Sequence, residues 1–74
     1  MSLKPPPLSG RKLVKIFEKL GYAKVSQRGS HIKMKNDETG SVIIIPDHKE
    51  LDRWTLKTIL REAEVDEQIL KKYL

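Results

Sequence analysis

Cysteine is absent from the chain, which excludes disulfide bonds and thiolate metal sites alike. That absence fits a reducing compartment. Aromatic side chains are scarce: one Phe, one Trp and two Tyr. No apolar run approaches the ~20 residues that a membrane span needs. Residues 1–10 are proline-rich and lack the apolar stretch of a signal peptide. The expectation is a cytoplasmic protein with no membrane partner. Metal-ligand spacing is missing too. Two histidines, His31 and His48, with scattered carboxylates form no recognisable set, so neither a metal nor a cofactor is expected. Acidic residues are sparse in the first half. Residues 1–35 hold nine Lys and Arg against Glu18 alone, whereas residues 36–74 hold six against nine acidic. Within a net charge of +5, this asymmetry points to one cationic surface for a polyanion and an acidic region elsewhere.

What is present suffices for one small domain. A 74-residue chain buries roughly 60% of its unfolded surface. Pro5-Pro6-Pro7 lack backbone donors and favour an extended form, so residues 1–8 are expected to be a flexible lead-in and 9–74 a single domain. Ser9 is a good N-cap. Leu13, Ile16, Phe17 and Leu20 follow at i, i+3, i+4, i+7, and Gly21 stops the helix. Residues 22–27 read as a strand with Ala23 and Val25 on one face. Arg28-Gly29 reads as a turn, with Gly29 at positive φ, and 30–35 as the second strand. A polar loop at 36–40 leads to a third strand at 41–45. The Val42-Ile43-Ile44-Ile45 run predicts that strand to be covered, at least in part, on both faces. Pro46 ends it. A second helix is expected from Trp54 or Thr55, with Leu56, Ile59, Leu60 and Ala63 as its stripe. A break near Glu64-Val65 precedes a short helix capped by Asp66. The fold class is therefore α+β, in the order α-β-β-β-α with a short C-terminal helix. Both main helices need an apolar surface, and one face of a three-stranded antiparallel sheet supplies it.

Alternation along the second strand decides the chemistry. Ile32 and Met34 share the apolar face, so His31, Lys33 and Lys35 share the wet one. An imidazole in a cationic field is a place where a phosphodiester can bind and react. The basic side of the first helix, with Arg11, Lys12 and Lys15, is a second surface for phosphates and would read charge rather than sequence.

Four pieces of the chain, taken in order, resemble the HicA family, the toxin half of a toxin–antitoxin pair. These are Leu20-Gly21-Tyr22, then Arg28-Gly29-Ser30-His31 with its Gly-Ser-His signature, then Ile45-Pro46 followed by His48, then the run from Thr55 to Ala63. The resemblance spans Ser9 to roughly Glu67. It departs at Trp54, where the family often has glycine, and at Asp47, which puts a negative charge between Pro46 and His48. The resemblance implies a fold like a double-stranded RNA-binding domain and a small endoribonuclease, an mRNA interferase, held in check by a HicB-type antitoxin that covers the active face. It makes His31 the catalytic residue, with Gly29 and Ser30 as its neighbours.

Imidazole suits RNA cleavage because its ordinary pKa of ~6.5 lies near working pH. As general base or acid toward the 2′-hydroxyl and the leaving 5′-oxygen, His31 would yield a 2′,3′-cyclic phosphate without a metal. Arg28, Ser30, Lys33 and Lys35 are the candidates for contacting the phosphate. His48 is either an auxiliary acid or a loop residue anchoring backbone after Pro46. Trp54 either stacks on a base or packs partly on the core, and Tyr22 reads as a packing residue. Two other functions compete. One is a non-catalytic RNA-binding module of similar fold, which binds by shape and backbone contacts. The other is a protein-interaction domain that uses the open sheet face.

Overall fold

The computed structural model describes residues 8–74. The expected flexible segment lies outside the described residues except for Leu8. There the Leu8 carbonyl accepts from Leu51 N–H at 2.8 Å, and the Leu8 side chain packs against the core. Helix α1 covers Gly10–Lys19. Strands β1 (Tyr22–Arg28), β2 (His31–Asn36) and β3 (Val42–Pro46) follow, then α2 (Arg53–Glu62) and α3 (Glu67–Lys71). The strands form an antiparallel sheet in the order β1-β2-β3. This is the expected α+β architecture, and it is compatible with a double-stranded RNA-binding-domain-like fold.

Local chemistry explains the boundaries. The Ser9 hydroxyl accepts from Lys12 N–H at 3.1 Å and caps α1. Gly21, at φ 98°, turns the chain out of the helix in a conformation costly for a β-carbon. Asp66 caps α3 by accepting from Gln68 N–H at 2.8 Å. Glu64, at φ 55°, marks the break before it. The second helix starts at Arg53, a residue or two before the expected Trp54 or Thr55.

One face of the sheet builds the core. Ile32, Met34, Ile43 and Ile45 alternate inward and meet Leu13, Ile16 and Phe17 of α1 and Ile59 and Leu60 of α2. Both main helices therefore pack on the same face. Tyr22 joins this core as expected. Its ring meets Phe17 edge-on at 5.1 Å, and its hydroxyl donates to Ser41 at 2.8 Å. An aromatic pair of this geometry contributes about 1 kcal/mol beyond its buried area.

Two expectations need correction. The third strand is not covered on both faces, because Val42 and Ile44 are each 43% exposed. No second layer lies over the outer side of the sheet among the described residues, so an apolar run there signals an open surface. Ala23 and Val25 are both exposed, and the register with β2 shifts between Lys24 and Ser26, so that Val25 lies in an irregularity of β1. Trp54 does not pack on the core but stands 73% exposed. Its helix buries Ile59 and Leu60 and packs Leu56 against the core, and that phase turns residue 54 outward.

Candidate functional site

His31 is the first residue of β2, the central strand. It pairs with Arg28 across a two-residue turn, Gly29-Ser30, and with Pro46 of β3 on its other side. Gly29 takes φ 59°, as the tight turn requires. Two contacts brace this end of the sheet. The Gln27 amide donates to the Gly29 carbonyl at 3.0 Å, and Asp47 N–H donates to the Ser30 carbonyl at 2.6 Å. Alternation then sends His31, Lys33 and Lys35 outward while Ile32 and Met34 are buried.

The imidazole sits in a shallow depression of about 650 Å³ lined by Ser26, Gln27, Arg28, His31, Lys33 and Ile44. None of these is acidic. Two cations flank an exposed histidine, and a phosphodiester entering there would meet positive charge on both sides. Lys35 lies one outward position further along β2, opposite Ala23 and Val42. Ser30 belongs to the turn itself.

The other predicted residues fall elsewhere. Arg11, Lys12 and Lys15 sit on the exposed side of α1, across the sheet from His31. Arg11 pairs with Asp47, Nε to Oδ1, at 3.1 Å. Arg11 and Lys15 line a second groove with Lys24 and Gln27, where Glu18 and Asp47 stand among the cations. Gln27 borders both this groove and the His31 depression, so the two cationic surfaces meet at the β1 edge. His48 lines neither. It borders a third hollow with Ser9, Arg11, Asp47 and Lys49, and its carbonyl accepts from Gly10 N–H at 2.9 Å. Its visible structural role is thus carried by backbone, while its side chain is exposed.

Ser26, Gln27 and Ile44 border His31 and escape a reading of the sequence. Their proximity depends on cross-strand register, and the irregularity in β1 shifts that register by one residue. Among the described residues, no group of three or more His, Asp or Glu is placed to hold a metal ion. No helix of the described residues is long and apolar enough to cross a membrane.

A family model described as the HicA toxin of bacterial toxin-antitoxin systems matches residues 10–65, from the start of α1 to just beyond α2. No curated protein matches the chain.

Proposed function

The chain belongs to the HicA toxin family, and from that membership we propose that it is a metal-independent endoribonuclease that cuts mRNA with His31 as general acid–base. The observation that supports this reading is the exposed His31 between Arg28 and Lys33 in a depression without carboxylates. RNA brings its own nucleophile. His31 takes the proton of a 2′-hydroxyl, O2′ bonds to the adjacent phosphorus, and the P–O5′ bond breaks. The 5′-oxygen leaves with a proton from the imidazolium or from water. The products are a 2′,3′-cyclic phosphate and a 5′-hydroxyl. Acid–base help of this kind contributes ~10²–10⁴-fold. Arg28, Lys33 and Lys35 stabilise the charge on the phosphorane, Ser30 lies at the rim, and Arg11, Lys12 and Lys15 hold flanking phosphates. His48 is at most auxiliary, because it borders a different hollow.

A toxin of a toxin–antitoxin system implies an antitoxin. We assign that partner, of the HicB type, to the open sheet face. Val25, Val42 and Ile44 are exposed there beside the cations, and a partner covering them would also cover His31. A cytoplasmic location follows from the mRNA substrate.

The test is cleavage of a long single-stranded RNA by the purified chain and by His31→Ala, both with chelator present. The native chain should cut and leave 2′,3′-cyclic ends, while the variant should lose at least ~10²-fold of the rate. Products with 3′-hydroxyl and 5′-phosphate ends would exclude the mechanism. The exposed cations of α1 favour a second reading, a non-catalytic RNA-binding module. RNA bound but uncut by the native chain would establish it.

A further inference from the structure

Trp54 is the only tryptophan of the chain. It is also the most exposed large apolar side chain among the described residues. An indole left in water forgoes a large burial gain, and α2 already seats Leu56, Ile59 and Leu60 in or against the core without it. The surroundings of Trp54 are cationic. Trp54, Lys57 and Arg61 stand at i, i+3, i+7 on one exposed side of α2, and Arg53 precedes them. The acidic residues of the second half fall in the 36–40 loop, in the loop before α2 (Asp47, Glu50 and Asp52) and from Glu62 onward, which leaves residues 53–61 free of carboxylates. Along the strand direction, the N-terminal end of α2 lies at the same end of the sheet as His31, though on the opposite face. Residues Glu62 to Val65, at its other end, border a hollow with Tyr22, Asn36 and Ser41, at the opposite end of the sheet.

We propose that Trp54 is a stacking platform for an unpaired base of single-stranded RNA, with Arg53, Lys57 and Arg61 taking the adjoining phosphates. The inference rests on the nuclease reading and narrows its substrate class. Bases inside a duplex already stack on one another and offer no free face, whereas those of a single strand do. The charge of the stripe fits a polyanion, and the indole fits the π-face that every base presents.

A single tryptophan makes the test direct, because its emission reports residue 54 alone. The His31→Ala chain, which leaves RNA intact, is titrated with an unstructured RNA oligonucleotide. Binding is followed independently by anisotropy of a labelled copy. Emission should be quenched saturably at the midpoint of binding. Trp54→Ala in the same background should weaken binding about tenfold or more, and Trp54→Phe should fall between. Because the side chain is exposed, both variants should keep the native circular dichroism. Binding without quenching, with Trp54→Ala as tight as its parent, would overturn this inference alone and leave a protein as the occupant of that surface. Equal quenching by a perfect duplex would overturn the single-strand assignment. Absence of RNA binding altogether would overturn both this inference and the nuclease reading.

Discussion

Gly10 looks unremarkable in the sequence, yet a β-carbon there would run into the carbonyl of Pro46. Its N–H donates to His48, so the first turn of α1 lies flat against the end of β3. Gly10→Ala should therefore destabilise the protein by about 1–3 kcal/mol, as overpacking does, although alanine is the better helix former. Thermal or urea unfolding monitored by circular dichroism checks it, and an unchanged midpoint would mean that the contact relaxes freely. The outward pointing of His31 was legible, because period-two alternation fixes it from Ile32 and Met34 alone. The partners of His31 were not, because Gln27 and Ile44 reach it across strands.

The helices differ in how their ends are satisfied. Ser9 caps α1 through its side chain, whereas the Asp52 side chain makes no capping hydrogen bond to α2. Ser9→Ala should cost about 1 kcal/mol, and Asp52→Ala less. Equal losses in denaturant unfolding would refute that distinction. Amphipathic spacing revealed which residues α1 and α2 bury, because a 3.6-residue period marks the inward stripe. The fate of Trp54 escaped that logic. A tryptophan just inside a helix start packs or not according to the phase of the helix against its sheet. An open sheet face was legible from the two helices sharing one side, but the exposure of β3 on it was not, because an unbroken apolar run reads alike whether or not a second layer covers it.

Across the whole molecule, the sheet separates two cationic surfaces that share an edge at Gln27. The charge count of residues 1–35 predicted one basic surface, but α1 and β2 present their cations on opposite sides. RNA that uses both must wrap the β1 edge and the Gly29 turn. Binding to the His31→Ala chain should therefore weaken steeply with salt. For single strands, each lost phosphate contact lowers the slope of log K against log salt by about 0.7. Arg28→Ala, Lys33→Ala and Lys15→Ala should each do so, while Lys71→Ala on α3 should not. If only the α1 variant changed the slope, RNA would be held away from His31, which would favour the binding-module reading.

The sequence by itself determined the order of elements, the inward stripes, the Gly21 and Gly29 turns and the solvent-facing histidine. Each depends on residues a few positions apart, within reach of local periodicity and backbone sterics. Only the tertiary structure decided which groups surround that histidine. It alone joined Arg11 to Asp47 and packed Gly10 on Pro46, and it alone set Trp54 in solvent at the head of a basic stripe. Those placements depend on strand register and on how each helix is rotated against the sheet. Both are fixed by packing the core as a whole, and no short stretch of chain encodes them.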